Sequence, residues 1–532
     1  MRTAAGIGAV DAAVSRTAAL AAAWRAVEDG QRAALLRATM RSVVAAADDW
    51  CRVSAATKAA PDDPRVIAEE RVTGVVAVLR HLRQYAEALD AGDGFQATLP
   101  VQQTEGGAAV RVFPRERWDS VLFPGLRADV MLAPGDTPRR VARGPGGLAA
   151  ILGAGNVTSI PVLDALWQML VEDRVAVVKL HPVASPLLPV MERAFAPLTG
   201  SGYLTFVNGG AEEGSALALH PRVAAVHLTG SEASARALVA AGLPDDRPFT
   251  AELGAVTPVL VVPGPWSTAD LRRQARMVAG AMAINGGYTC LTPKLLVTAR
   301  TWRQRGAFLQ LLRKELEGVP ARASWYPGGE RARADFLRAT GAGAPLHGPE
   351  RLPWLLAEGV PADRAHPALA YEHFGGLLAE CALDVPAEPE AFLARAVRFV
   401  NDEVYGTLSC NLLAPPWTPR AALDAAVDGL RYGTVAVNTW AALGFLFGST
   451  PWQAFPGADR HDPQSGFGTV HDALLLADPV KAVLRSPFRP ALEPLWSTRR
   501  RRLAPLAEAL QAFEAAPGLA RLLPLAAAAL RR

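Results

Sequence analysis

Apolar residues recur at helical spacing through 32–40 and again through 72–86, with charges between them, so the first hundred residues predict packed amphipathic helices. From Gly147 the rhythm changes. Short apolar runs at 148–152, 175–180, 203–207 and 223–228 predict strands, and the stretches 161–172, 186–197, 213–219 and 232–241 predict helices. Strands alternating with helices of this length imply a parallel sheet covered on both faces. Such sheets bind ligands at the carboxyl ends of their strands. The polar tips fall there: Gly155-Asn156, Lys179, Asn208-Gly209-Gly210 and Thr229-Gly230-Ser231.

Each tip has a chemical use and a plainer one. Gly230 and Ser231 open a predicted helix, whose free amides and dipole suit a pyrophosphate; a Ser N-cap after a tight turn has the same sequence. Lys179 can donate to a ribose hydroxyl or simply be solvated. Gly153-Ala154-Gly155 is not the dinucleotide fingerprint, because no third glycine follows at the required offset. Any cofactor site here differs from an ordinary Rossmann phosphate loop.

Composition narrows the class. At 532 residues the chain is long enough for roughly two to four domains, and its hydrophobic half and charged fifth are those of a globular enzyme. A net charge of +4 with scattered basic residues does not indicate nucleic-acid binding. The Ala-rich N-terminus carries Asp11, Arg16 and Arg25, unlike a signal peptide, and no run of eighteen apolar residues occurs, so a cytoplasmic protein without a membrane span is expected. Only five of the 55 basic residues are lysines (58, 179, 294, 314 and 481), which draws attention to each. After the basic run 499–502, Leu503, Leu506, Leu510, Phe513, Leu519, Leu522 and Leu523 predict two short amphipathic helices. Packing on the N-terminal helices or on a second subunit is expected; a membrane-surface helix is the alternative. Trp417, Trp440, Trp452 and Trp496 crowd the late chain, and those near Asn438 suit either an apolar substrate funnel or core.

The four cysteines, 51, 290, 381 and 410, have no spacing for a zinc site or a disulfide framework, and no metal is expected. Cys290 follows a helical segment and Asn285-Gly-Gly-Tyr-Thr, and precedes the apolar run 295–298. Upstream lies Glu252 in Ala251-Glu-Leu-Gly254. A soft nucleophile and a base able to activate water are what acyl transfer through a thioester needs. A lone cysteine is otherwise a small core residue.

Asn156, Lys179, His227-Leu-Thr-Gly-Ser231, Glu252, Cys290 and Glu372-His-Phe-Gly375 stand in the order and approximate spacing of the aldehyde dehydrogenase superfamily, which the chain resembles over about 140–475. Tyr405-Gly406 and Gly433-Thr-Val-Ala-Val-Asn438 resemble that family's later landmarks. The resemblance implies an α/β fold of two Rossmann-like parallel-sheet domains plus a β-hairpin oligomerisation element. The domains it suggests are 1–250, an N-terminal helical part with the nicotinamide-cofactor domain; 251–445, the catalytic domain; and 446–532, a return segment, oligomerisation strand and helical tail. It implies Cys290 as nucleophile, Asn156 as oxyanion donor and Glu252 as base. Lys179 would lie at the adenosine ribose, Gly230 and Ser231 at the pyrophosphate, and Glu372 at the nicotinamide ribose, with Gly210 also among the cofactor-binding residues. The implied activity is NAD(P)-dependent oxidation of an aldehyde, apolar or aromatic, to a carboxylic acid through a cysteine thiohemiacetal and thioester. Coenzyme A as acyl acceptor, acyl-CoA reduction, and a catalytically silent scaffold subunit are the alternatives. A homodimer or higher homo-oligomer is implied by a protruding hairpin, for which 110–113 and 129–132 supply apolar runs that would form an open edge on a monomer; the alternative is that the long C-terminal tail covers this edge within one chain.

The chain also departs from the family. Gly153-Ala-Gly-Asn156 stands where Pro-Trp-Asn is usual, Tyr288 replaces a Gln two places before the nucleophile, Ala255-Val256 replaces Gly-Lys, and Gly376 replaces Pro. No acid follows Lys179 through Pro182, so no carboxylate there repels a 2′-phosphate, and His181 is either a phosphate neighbour or a surface residue.

Overall fold

Six strands form one sheet in the computed structural model, which describes residues 2–104, 106–342, 354–500 and 502–531. Their spatial order is Gly466–Phe467, Phe249–Glu252, Ala225–Thr229, Gly147–Leu152, Arg174–Leu180 and Leu204–Asn208. The last five are parallel, and only Gly466–Phe467 runs against its neighbour. Every residue of Arg174–Leu180 is buried, as expected of a central strand covered by helices on both faces. The register places Leu152 beside both Lys179 and Leu228, and Thr229 beside Glu252. The carboxyl ends therefore lie level, with their polar tips on one rim. The single helix expected over 186–197 is divided into Leu188–Ala194 and Ala196–Gly200. Pro189 and Pro197 sit in the first turn of each, where a missing N–H costs nothing, whereas inside one long helix Pro197 would remove a bond.

A second sheet of ten strands is built around Leu295–Ala299, which is parallel to Pro258–Val261 on one side and Leu377–Leu383 on the other. Leu355–Ala357 closes that side. On the opposite side the order runs through Ser409–Leu413, Thr434–Val437 and Pro479–Arg485, then the antiparallel strands Arg127–Leu132, Gly107–Phe113 and Val101–Thr104. The expected hairpin is present, but the edge from which a second subunit was inferred is covered within the chain. Pro479–Arg485 pairs with Arg127–Leu132 on one side and Thr434–Val437 on the other. The outer strand is Val101–Thr104, short, polar and exposed throughout, features that disfavour further edge pairing.

The N-terminal region is helical as expected, with Arg2–Ala18, Asp29–Thr57, Pro64–Glu70 and Ala77–Ala91 as its main helices and one π-helical turn at Arg71–Val76. The tail forms the two predicted helices, Leu503–Ala515 and Leu519–Leu530. Leu503, Leu506, Leu510, Phe513, Leu522 and Leu525 bury against Ala68, Val72 and Val76, so the tail packs on the N-terminal helices. Arg501 of the basic run lies outside the described residues. Among the described residues no helix is long and apolar enough to cross a membrane.

Candidate active site

Cys290 sits on a turn whose shape is set by three consecutive left-handed residues. The helix Thr268–Ala283 ends, and Asn285, Gly286 and Gly287 take φ of 56°, 68° and 80°. Asn tolerates that region better than other side chains, and Gly287 admits no other residue: a Cβ there would lie 2.3 Å from the Gly376 nitrogen. The chain then runs through Tyr288 and Thr289 to Cys290 and enters the strand Leu295–Ala299. Two long-range bonds fix the far side of the turn. Thr257 Oγ1 donates to the Cys290 carbonyl at 3.0 Å, and the Trp440 indole N–H donates to the Leu291 carbonyl at 2.8 Å.

Glu252 ends the strand Phe249–Glu252 and is 3 % exposed. Burial pushes its carboxyl up to about 8, with Asp164 and Glu372 adding to the rise while the Cys290 thiol and Trp452 pull against it. Its Oε1 is buried without a hydrogen-bond partner. Burial likewise raises the Cys290 thiol well above its ordinary value; Glu252 and Glu372 reinforce this, and Lys294 opposes it. A thiol beside a proton acceptor of raised basicity suits proton transfer between them. Asn156, 6 % exposed, follows the strand Gly147–Leu152, and its Nδ2 donates to the Tyr288 carbonyl at 3.3 Å.

Lys179 lies near the end of Arg174–Leu180, with Nζ 3.3 Å from the Gly209 carbonyl and 3.2 Å from that of Gly210. Burial lowers its pKa, and Glu213 works against that. Ser231 caps the helix Glu232–Ala240 by accepting from the Ser234 amide at 3.2 Å. Thus the plain N-cap role is real, and the remaining amides of that first turn stay open. Glu372 packs against Gly254, where a Cβ would lie 1.9 Å from its carboxylate and would push that side chain out of its present position. Glu372 Oε1 lies 3.5 Å from Lys294 Nζ and is buried without a hydrogen-bond partner of normal geometry.

One cavity of about 520 Å³ brings these tips together: Asn156, Lys179, Gly210, Gly230, Ser231, Glu252, Cys290 and Glu372 all line it. Tyr326 and Phe374 also line it, backed by Tyr288, whose ring centroid is 5.8 Å from each. The replacement of Gln by Tyr288 is thereby absorbed into an aromatic cluster. His181 lines the cavity as well, stacked on Tyr326 at 5.7 Å and lowered to about 4 by burial and Lys179, hence neutral. Of the tryptophans at 417, 440, 452 and 496, Trp440 bonds to the residue that follows Cys290, whereas Trp417 is 39 % exposed and packs on Gly264. The sequence reading missed Thr257, Lys294, Lys58 and Asn285. Scarcity of lysine was the one available signal for two of them. Among the described residues no cluster of His, Cys, Asp and Glu could hold a metal.

Residues 123–324, which carry Asn156, Lys179, Ser231, Glu252 and Cys290, match the model of the aldehyde dehydrogenase family. Over that segment the chain is similar to the aldehyde dehydrogenase superfamily. It is 26% identical over 272 residues to a probable aldehyde dehydrogenase of Streptomyces coelicolor, covering 50% of this chain and 52% of that one. It is 27% identical over 421 residues to a betaine aldehyde dehydrogenase of Agrobacterium fabrum, covering 73% and 77%. The chain spans about half the length of the first curated relatives it matches. In fold it is similar to a Mycobacterium tuberculosis aldehyde dehydrogenase solved with NAD+, with a TM-score of 0.63 and 17% identity over 91% of each chain.

Proposed function

We infer that the protein oxidises an aldehyde to a carboxylic acid with a nicotinamide cofactor. The observation that carries this reading is the convergence of Cys290, Glu252 and Asn156 with Lys179, Gly230, Ser231 and Glu372 on one cavity. A nicotinamide dinucleotide fits the donor set. Lys179 offers an ammonium for ribose hydroxyls, the first turn of Glu232–Ala240 offers amides for a pyrophosphate, and the buried Glu372 Oε1 lacks a hydrogen-bond donor that a ribose hydroxyl would supply. Neutral His181 offers no charge to a 2′-phosphate, and Glu213 lies beside Lys179, which supports NAD over NADP.

Glu252 takes the Cys290 proton as sulfur attacks the aldehyde carbon, and passes it to solvent. The oxyanion so formed is held by the Asn156 amide and the Cys290 backbone N–H, each donor contributing about 3 kcal/mol in comparable sites. The cofactor, when bound, supplies the hydride acceptor. The acyl group then remains on sulfur as a thioester. Glu252, with its raised basicity, removes a proton from water as the oxygen attacks the thioester, releasing the acid and the thiol. A panel of aldehydes assayed for nicotinamide reduction, with NAD and NADP and with and without coenzyme A, tests the reading. Reduction without coenzyme A supports it; reduction only with coenzyme A makes that thiol the acyl acceptor, and none with any aldehyde sinks it.

A further inference from the structure

The N-terminal helices reach the site through one buried lysine. Lys58 follows the last turn of Asp29–Thr57 and is 5 % exposed. Its ammonium has three hydrogens and three acceptors: a Glu70 carboxylate oxygen, the Asn285 Oδ1 at 2.7 Å and the Asn156 carbonyl at 3.1 Å. Asn285 completes the joint. Its Nδ2 donates to the Asn156 carbonyl at 2.8 Å and to the Tyr288 carbonyl at 3.0 Å, and its backbone N–H donates to Glu69 Oε2 at 3.2 Å. Glu69 is itself gripped by Arg322 at 2.6 Å and Arg65 at 3.2 Å.

Two groups are held by this arrangement. The Asn156 carbonyl accepts from both Lys58 and Asn285, which fixes the peptide that carries the Asn156 amide. The Tyr288 carbonyl accepts from both Asn285 and Asn156, which fixes the turn two residues before Cys290. We propose that Lys58 and Asn285 are positioning residues that lock the Asn156 amide and the Cys290 turn into one rigid unit. The proposal rests on the reading of Cys290 and Asn156 given above. A buried charge is an expensive way to hold packing alone, because apolar residues of equal volume fill such space at no desolvation cost. Its benefit is direction: bonds of fixed length to a backbone carbonyl orient an amide in a way that apolar contact does not.

The test compares the native chain with Lys58→Met/Glu70→Gln, which removes both buried charges together, and with Asn285→Gly, which keeps the left-handed turn without the side chain. Each is treated with iodoacetamide and the four cysteines are mapped by mass spectrometry, alongside aldehyde turnover and cofactor KM. Expected is faster alkylation of Cys290, by tenfold or more, as the turn loosens. Cys51, Cys381 and Cys410 stay protected, kcat falls tenfold or more, and cofactor KM moves less than threefold. The two rates moving in opposite directions is what a merely structural role would not give. Cys290 alkylation within twofold of native in both variants overturns the proposal, as does exposure of all four cysteines together. If the native chain oxidises no aldehyde while the Cys290 contrast holds, the positioning role stands and the dehydrogenase reading falls.

Discussion

Lys294 Nζ lies 3.5 Å from Glu372 Oε1, both side chains largely buried, and this ammonium opposes the rise of the Cys290 thiol's pKa. It also donates to the Thr289 carbonyl at 3.3 Å and lies 5.5 Å from the centre of the Phe374 ring. Burial drives the lysine's pKa down, and Glu372 and Cys290 draw it back up; for Glu372 burial raises the pKa and Lys294 lowers it. Charge in this corner is thus shared among three groups.

Lys294→Met removes the positive member of that set. The Cys290 thiol then has burial and two carboxylates raising its pKa without Lys294 to oppose them, so thiolate forms less readily. Alkylation of Cys290 at pH 8 is expected to slow roughly tenfold, with its pH profile displaced upward. An unmoved profile would show that Lys294 serves Glu372 alone.

Glu252 is expected to set the pH dependence of turnover. Its folded pKa is raised to about 8, so the carboxyl is protonated below that pH and acts as a base above it. Turnover should climb through about pH 8. Glu252→Gln should abolish the climb and leave an acyl adduct on Cys290, visible by mass spectrometry of protein mixed with substrate and cofactor. Cys290→Ala should lower turnover by more than about a thousandfold while the protein stays folded. Turnover above a tenth of native in Cys290→Ala would end the nucleophile assignment.

What the sequence made legible is what local rhythm encodes. The alternation of strands and helices announced the rim of polar tips, and all eight candidate residues line one cavity because six of them sit at strand ends or on the turns that follow, and the other two on loops that reach the same rim. Contacts between distant segments have no such rhythm. Nothing near Lys58 predicts that it meets Asn285 across more than two hundred residues, and the sequence left open whether a second subunit or the chain's own tail covers the hairpin edge, which Pro479–Arg485 does. The lysine count did carry information. Of five lysines, Lys58, Lys179, Lys294 and Lys481 are buried and only Lys314 is exposed. Each buried one directs its ammonium at backbone carbonyls, Lys481 at those of Val427, Asp428 and Leu430. A compact ammonium with three rotatable donors does this where a planar guanidinium fits less well.

Lys179→Ala is expected to raise the cofactor KM about tenfold, near 1.4 kcal/mol of lost binding, with a smaller effect on kcat. The ammonium also holds the Gly209-Gly210 turn, so Lys179→Arg, which keeps charge but not the compact geometry, should restore only part of the loss. Titration of cofactor by fluorescence, separate from turnover, checks it. An unaltered cofactor affinity would mean that the ribose is held elsewhere.

The tail is anchored by charge as well as by leucines. Glu514, 3 % exposed, accepts from Arg80 and from Arg83, each at 2.8 Å, and Arg80 also faces Asp119 at 3.3 Å. Burial works to raise the Glu514 pKa, but the two guanidinium groups outweigh it and hold the folded carboxyl below the ordinary glutamate value of 4.5. Glu514→Ala strips a buried carboxylate from two arginines and is expected to cost about 3 kcal/mol, the usual scale for breaking one half of a buried pair. The sign of the pH dependence follows from the lowered pKa. The stabilisation is fully present above the unfolded carboxyl's pKa and is lost as pH falls through the folded one. Urea unfolding should therefore separate native and variant protein widely at pH 7 and progressively less below about pH 4.5. An equal gap at pH 7 and pH 3 would show that the variant acts through packing of Leu506, Leu510 and Phe513 rather than through the ion pairs.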